Sequence, residues 1–329
     1  MKKKITKYLS TIIELIDFLK NEDIVYVQPH NFPDHDAISS AFGLQYFLKH
    51  FGVQTKIVYD TTIQRESVIR LMDELHIQAY QISDIAMTAH DKIILVDGCK
   101  GNSNVTDLIG NEVGLIDHHL VVEPDDVEFS DIRLEYGACS SIIASYYIDH
   151  QVVMPQDIAS ALLIGINTDT ALLTRNVSES DIRAYLHCYR IANVSYVNNV
   201  IRNYIRLDDL KYYQYLISHK KIHDRILFCY FPQGCSQNLL GILSDFALAL
   251  DEIDLVVLCA KGQNIHFSLR SEVLEWDVSA LIRHLLEGIG FGGGHADMSG
   301  GIISDVNQFD PDDMFKKTIK ILYGNGEND

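Results

Sequence analysis

Short apolar runs alternate with helix-period stretches through the first half of the chain. Residues 24–29 (IVYVQP), 55–60 (TKIVYD), 92–97 (KIILVD) and 113–117 (VGLID) read as buried strands. Between them, 37–51 and 65–75 carry helical spacing. Ahead of them, Leu9, Ile12, Ile13, Ile16 and Leu19 fall on one face of an amphipathic first helix. Strand–helix alternation predicts an α/β domain, a parallel sheet with helices on both faces. Residues 156–166 (QDIASALLIGI) continue as a helix leading to NTDT, and 179–221 is a helical region rich in Tyr and charge. The second half opens with a strand at 225–232 and a helix at 236–250. A hairpin at 254–271 turns near Gly262, a helix covers 277–287, and a glycine-rich stretch follows at 288–301. A length of 329 residues exceeds one ordinary core. The pattern divides it into a first domain over 1–195, a helical connection over 196–220 and a smaller α/β domain over 221–329.

Composition narrows the function classes. A hydrophobic fraction of 47% excludes disorder. A net charge of −18 repels long nucleic acid at a distance, so an anionic substrate needs a local device such as metal ions or a few placed cations. Six scattered cysteines form no CxxC pair and read as reduced, mostly buried thiols. The basic start resembles a signal peptide, but Glu14 and Asp17 interrupt the apolar stretch, no small-residue cleavage site follows, and nothing reaches membrane-spanning length. A cytoplasmic protein with no membrane partner is expected.

The polar groups collect where apolar runs end. HNFPDHDAISS (30–40) places His30, Asp34 and Asp36 after the first strand; LVDG supplies Asp97; LIDHHL supplies Asp117, His118 and His119; GINTDTALLTR supplies Asp169. Ligands of parallel α/β sheets lie beyond the carboxyl ends of the strands. Clustered carboxylates there repel one another unless divalent cations intervene, and oxygen donors mixed with imidazoles suit Mn²⁺, Mg²⁺ or similar ions. Each piece alone has a plain reading: Asp34 or Asp36 as a helix cap, Asp97 as a turn residue, LIDHHL as a polar turn, Asp169 as a cap. In the second half, Gly292, Gly293, Gly294 and His295 read as an anion-cradling loop of consecutive backbone N–H groups, and Arg270 ends a predicted strand; a flexible hairpin and a surface arginine are the competing readings. Together the sets match what a two-metal phosphoryl-transfer site requires.

HNFPDHDAISS, LVDG, IDHH, GINTDT and FGGGH, in that order, resemble the DHH phosphoesterase superfamily and its DHH–DHHA1 members over nearly the whole chain. Length and domain pairing resemble the NrnA-like oligoribonuclease and pAp-phosphatase branch. The resemblance implies a first metal held by His30, Asp34 and Asp97, and a second held by Asp36, Asp97, His118 and Asp169, with Asp97 bridging. It implies support from Asp117, a place for His119 against the scissile phosphate, and a grip on the substrate by Arg270 and Gly292–Gly293–Gly294–His295. The catalytic set is therefore Asp97, Asp117 and His119. Many relatives have Gly where Ser39 stands, and Gly plus an aromatic where Ala171–Leu172–Leu173 follow Thr170; the glycine stretch continues ADMSGG where an Ala-Ala-Gly tract is often found.

The implied activity is hydrolysis of short oligonucleotides or small nucleotides, nanoRNA, pApA or pAp, by a metal-bridging hydroxide. The implied cofactor is two Mn²⁺ ions, with Mg²⁺ or Co²⁺ as substitutes. The partners are a short single-stranded oligonucleotide or small nucleotide rather than long duplex, with a homodimer through the first domain. Alternatives are a cyclic-dinucleotide phosphodiesterase, a manganese inorganic pyrophosphatase and a non-catalytic nucleotide-binding protein. The pyrophosphatase would carry a Ser-Arg-Lys-Lys-Gln-type motif in its second domain, which the sequence lacks. A RecJ-like long-strand exonuclease would need further chain for an added OB-fold, and a purely structural role would leave costly buried carboxylates unexplained.

Overall fold

The computed structural model describes residues 9–63, 66–102, 104–202, 205–273 and 275–324. It divides into two compact units, Met1–Tyr204 and Ile205–Asp329. In the first unit the elements run α1 (Ile12–Leu19), β1 (Val25–Pro29), α2 (His35–His50), β2 (Thr55–Tyr59), α3 (Glu66–Glu74), β3 (Ala79–Gln81), β4 (Lys92–Val96), β5 (Asn111–Asp117), β6 (Phe129–Ile132), α4 (Cys139–Asp149), α5 (Gln156–Asp169), α6 (Glu179–Ile191) and α7 (Val194–Arg202). All six strands pair in parallel in the order β3-β2-β1-β4-β5-β6. The chain reverses its direction of travel across the sheet between β1 and β4, which is the topological switch point where such sheets open a crevice.

Burial explains why these segments become strands and helices. β1, β4 and β5 are buried almost throughout, so they read as unbroken apolar runs rather than alternating ones. The main core joins Val25, Val27, Ile94, Val96 and Ile116 of the sheet to Leu15 and Leu19 of α1, Leu44 and Phe47 of α2, Ile143 and Tyr147 of α4 and Leu162 of α5. The opposite face carries a smaller cluster, with Tyr26, Val58, Ile93, Leu95 and Leu115 under Ile82, Ile85, Met87, Val105 and Val121. Short β3 and β6 and the helix α4 carried too little apolar periodicity to be set apart in the sequence reading. α4 is buried through most of its length, so its pattern is nearly uniform rather than striped.

The second unit runs α8 (Leu210–His219), β7 (Lys221–His223), β8 (Ile226–Phe231), α9 (Gln237–Leu248), β9 (Leu255–Lys261), β10 (Ile265–Ser271), α10 (Val278–Leu285), β11 (Phe291–Gly294), β12 (Met298–Ile303) and α11 (Pro311–Tyr323). Its mixed sheet has the order β11-β12-β10-β9-β8-β7. One face packs Phe228, Val257 and Leu269 under α10 and Met314 of α11; the other packs Leu227, Val256 and Leu258 under α8 and α9. β9 and β10 form the expected antiparallel hairpin, with Gly262 in its turn. The stretch 196–220 divides between the units: Val197 and Val200 of α7 join the first core and Leu216 of α8 joins the second. An α/β parallel-sheet unit followed by a smaller α/β unit is thus the architecture. The glycine-rich stretch expected as a loop is instead an edge strand, β11, paired antiparallel to β12. Gly292 is required there: a Cβ would fall 2.6 Å from the Ile282 side chain.

All six cysteines are free thiols, five of them buried. No helix among the described residues is long and apolar enough to cross a membrane.

Among the described glycines of the first unit, Gly165 is the most closely surrounded. A Cβ there would lie 2.2 Å from Ser140 Oγ and 2.7 Å from Asp36 Oδ1. Gly165→Ala gains about 1 kcal/mol in helix propensity, but the overpacking costs typically 1–3 kcal/mol and falls on hydrogen-bonded groups that cannot yield without breaking a bond. Denaturant unfolding of the variant is expected to show a net loss of roughly 1 kcal/mol or more relative to the parent. Equal or greater stability would contradict the packing described.

Candidate metal centre

Register brings the polar groups together. Pro29 is level with Val96, and Val96 with Ile116, across β1, β4 and β5. The next residue of each strand, His30, Asp97 and Asp117, therefore stands on one row at the carboxyl edge, astride the switch point. Asp97 is 2% exposed, takes φ +55°, and donates its backbone N–H to the Ile116 carbonyl at 2.9 Å. Asp is among the few residues that adopt this left-handed conformation readily, and here it turns the carboxylate across the strand ends.

Three imidazoles face that carboxylate, and each is fixed in the same way. His30 Nδ1 lies 2.7 Å from the Asn31 carbonyl, His118 Nδ1 3.2 Å from the Tyr136 carbonyl, and His119 Nδ1 2.8 Å from Asp117 Oδ1. Those partners only accept, so each Nδ1 carries the proton, and for His30 and His118 this turns Nε2 toward the carboxylates as a donor of its lone pair. His30 Nε2 is 3.6 Å from Asp97 Oδ2, whereas His118 Nε2 is 3.4 Å from Asp97 Oδ1 and 3.3 Å from Asp169 Oδ2. The two oxygens of Asp97 thus look toward two different donor sets.

The other carboxylates are held by helix ends. Asp34 caps α2, accepting the N–H groups of Asp36 and Ala37 at 3.0 and 3.1 Å, and its Oδ1 stays 3.9 Å from His30 Nε2. Asp36 lies fully buried in the first turn of α2. Its Oδ2 accepts the Cys139 N–H at 2.7 Å and its Oδ1 the Ser140 N–H at 2.9 Å, both from the first turn of α4. The positive end of α4 thus braces the carboxylate. Asp169 is the last residue of α5 rather than a loop residue beyond it. Asp117 is fully buried; its Oδ1 accepts the N–H groups of His118 and His119 as well as the His119 ring.

Two groups of donor atoms result, each lying within 4.8 Å of one another: His30, Asp34 and Asp97, and Asp36, His118 and Asp169. A third combination, Asp97, His118 and His119, is also close, but the His119 atom facing Asp97 is the Nδ1 already donated to Asp117, so it is not a ligand donor. The electrostatics favour positive charge at this cluster. Burial, then the charges of Asp97 and Asp169, push the Asp36 carboxyl well above the carboxylate range. Burial opposes ionisation of Asp97 too, but the His118, His119 and His30 rings outweigh it and hold that carboxyl down. Burial lowers the basicity of His118, and Asp169 and Asp97 more than reverse this, raising it well above its ordinary value. Asp97 Oδ1 and His118 Nε2 are buried with no well-aligned hydrogen-bond partner, an arrangement that a divalent ion satisfies on both sides.

In the second unit, Gly293 lies on the β11 edge with open space where a side chain would stand. Gly294 takes φ +143°, and His295 donates its backbone N–H to the Met298 carbonyl at 2.8 Å, closing the turn to β12. Arg270 is 9% exposed: its Nε donates to Asp245 at 2.6 Å and its Nη1 to Ser268 Oγ and the Leu269 carbonyl. The residues that hold the centre in place, Tyr136, Cys139 and Ser140, act through the backbone. Their only trace in the sequence is the small-residue run GACSS ahead of an apolar stretch, a helix-start signal.

Comparison with known proteins places these residues in context. A model of the DHH family, N-terminal domain, matches residues 24–166, and a model of the DHHA1 domain matches 223–320. An uncharacterised protein of Methanocaldococcus jannaschii is 24% identical over 268 residues, covering 81% of this chain and 55% of that protein. A probable manganese-dependent inorganic pyrophosphatase of Streptococcus thermophilus is 30% identical over 152 residues, 45% of this chain and 49% of its own length. The chain thus spans about half the length of these curated relatives. Among solved structures, an exopolyphosphatase-related protein from Bacteroides fragilis superposes with TM-score 0.76 at 17% identity, covering 94% of this chain and 95% of that one. RecJ from Thermus thermophilus, solved in complex with Mn²⁺, superposes with TM-score 0.55 at 11% identity, covering 96% of this chain and 54% of that one. These structural likenesses concern the fold.

A cation that binds only the folded centre stabilises it by mass action. With free Mn²⁺ at about 100 times its dissociation constant, unfolding of the parent is expected to cost about 2.7 kcal/mol more than without it. Asp97→Ala, which removes the carboxylate common to both imidazole faces, is expected to lose most of that gain in thermal or denaturant melts. A variant stabilised as strongly as the parent would place the cation elsewhere.

Proposed function

The chain belongs to the DHH family, and from that premise we propose that it is a divalent-metal-dependent phosphoesterase acting on short oligonucleotides or small nucleotides such as nanoRNA, pApA and pAp. The observation that carries the reading is the division of Asp97. One oxygen faces His30 with Asp34 nearby, and the other faces His118 beside Asp169 and Asp36. A carboxylate so placed between two donor sets suits a pair of cations, one held by His30, Asp34 and Asp97 and the other by Asp36, Asp97, His118 and Asp169. The mixed imidazole and carboxylate donors suit Mn²⁺ first, with Mg²⁺ or Co²⁺ as substitutes. Such ions supply a water of lowered pKa and neutralise the phosphate oxygens.

The chain's own groups do the positioning. Asp117 fixes the His119 ring through Nδ1, and in this reading the partly exposed His119 side chain meets an oxygen of the scissile phosphate. In this reading the glycines of β11, with His295, receive the substrate through backbone N–H groups and the absence of side chains. Arg270 reaches a phosphate by exchanging Asp245, whose side chain is largely exposed, for the more highly charged anion. A nucleotide substrate and the NrnA-like branch are favoured by the DHHA1 match and by the missing Ser-Arg-Lys-Lys-Gln-type motif. The likeness to a probable manganese-dependent inorganic pyrophosphatase keeps pyrophosphate as the second reading.

A substrate panel with Mn²⁺, resolved by chromatography of the products, separates the two. Hydrolysis of pApA, pAp or RNA dinucleotides, with pyrophosphate left intact, is expected. Asp97→Ala is expected to lower the rate by at least about 10²–10³-fold, the scale of removing a main electrostatic stabiliser of the reacting charge. Turnover of pyrophosphate alone would replace the proposed substrate class, and no turnover of any phosphoester would remove the proposal.

A further inference from the structure

One turn outside the cation ligands holds two of them at once. Residues 133–140 pass from the end of β6 into α4. Within that span the Tyr136 carbonyl accepts the His118 Nδ1 proton, and the Cys139 and Ser140 N–H groups grip the two oxygens of Asp36. His118 and Asp36 both belong to the group completed by Asp169; neither belongs to the His30–Asp34–Asp97 group.

The turn is clamped from both sides by charged residues that touch no donor atom of the centre. On one side Arg133 is fixed to Asp131 by Nε and Nη2, each at 2.8 Å, and its Nη1 reaches Tyr136 Oη at 3.1 Å and Ser145 Oγ at 3.0 Å. Tyr146 Oη adds a 2.6 Å bond to Asp131. On the other side Asp181 is fully buried in the first turn of α6. Both its oxygens accept the Gly137 N–H at 3.0 Å, and Oδ2 also accepts the N–H and hydroxyl of Ser178. Gly137 admits no side chain, since a Cβ would lie 2.4 Å from the Asn176 carbonyl oxygen. A helix cap needs only the Ser178 side of Asp181; burying the whole carboxylate on a glycine N–H 44 residues away does more than cap α6.

We propose that Asp181 and Arg133 are positioning residues for one cation only: by clamping the 133–140 turn they set His118 and Asp36, and with them the second of the two cation sites. The inference rests on the two-cation reading above. Its physical basis is that groups orienting a metal ligand govern affinity at that metal, typically by 10–100-fold, while leaving a neighbouring site built on other elements unaffected. His30 is anchored by the Asn31 carbonyl and Asp34 by the backbone N–H groups of Asp36 and Ala37, so the clamp reaches that group only indirectly, through the backbone of the α2 turn that carries Asp36.

Mn²⁺ binding by calorimetry, with the electron paramagnetic resonance spectrum of the loaded full-length protein, tests this well below the unfolding temperature of each variant. Wild type is expected to bind two ions and to show a spin-coupled pair. Asp181→Asn is expected to keep the tighter-held remaining ion and to weaken the other by about tenfold or more, leaving an isolated-ion spectrum. Arg133→Lys, which keeps a charge for Asp131 but loses the fork to Tyr136 and Ser145, is expected to act the same way to a smaller degree. Ser178→Ala removes the α6 cap and one of the bonds to Asp181 Oδ2 but leaves that carboxylate on the Gly137 N–H, and is expected to retain both ions; a loss caused merely by destabilising α6 would show in it too. Two ions bound with unchanged affinity by Asp181→Asn and Arg133→Lys, or equal weakening at both sites, would overturn the inference alone. A wild-type protein that binds no Mn²⁺ would overturn the two-cation reading and this inference with it.

Discussion

Like charge held at the end of a buried sheet is the constraint on which the first unit turns. Asp36, Asp97 and Asp117 are almost wholly withdrawn from water, and Asp34 and Asp169 stand at their edge. Carboxylates in such a setting take up protons or find positive charge. Three imidazoles and the first turns of two helices meet part of that need. The residual strain is visible in an Asp36 pushed toward its neutral form, a His118 driven toward its charged form, and buried atoms on Asp97 and His118 without aligned partners. The arrangement is costly for a protein that lacks a cation and sensible for one that holds it.

The sheet makes the cluster without any long-range coincidence. Parallel pairing in register fixes His30, Asp97 and Asp117 as successive residues of one row, and the reversal between β1 and β4 leaves that row uncovered. Helices then bring the remaining carboxylates by their termini: α2 begins at Asp34, α5 ends at Asp169, and α4 begins against Asp36. Every ligand candidate therefore sits at the end of an element, where backbone groups are unpaired and a side chain can reach outward. Gly165 lets α5 approach Ser140 and Asp36 closely enough for this convergence.

Much of this was legible in the chain because it is local. Apolar runs of four to six residues ending in Asp or His announce strands with polar tips, and the six proposed ligands lie at such tips or at a helix end. What the sequence hid is what backbone atoms do. No residue type marks the Tyr136 carbonyl on His118, and Asp181 reads as an ordinary helix-start aspartate until Gly137 is seen against it. The glycine stretch was misread as a loop for a related reason. Glycine signals conformational freedom in the sequence, whereas here Gly292 answers the closeness of Ile282 on a regular strand. Arg270 has the residue type of a phosphate contact, but only the fold shows that Asp245, Ser268 and Leu269 already hold it.

Directly after the last residue of α5, local preference and structure disagree. Ala171, Leu172 and Leu173 take φ of +47°, +62° and +62° directly after Asp169 and Thr170. Each such residue costs an L side chain about 1–2 kcal/mol. The conformation persists because it is tied at several points: Leu172 N–H to the Asn167 carbonyl, Thr174 and Arg175 N–H to that of Thr170, and Leu173 N–H to Thr170 Oγ1. Strain held this firmly beside a ligand candidate belongs to a surface whose shape matters. It leaves Leu172 exposed three residues after Asp169, on a segment whose backbone path is set by these bonds rather than by local preference.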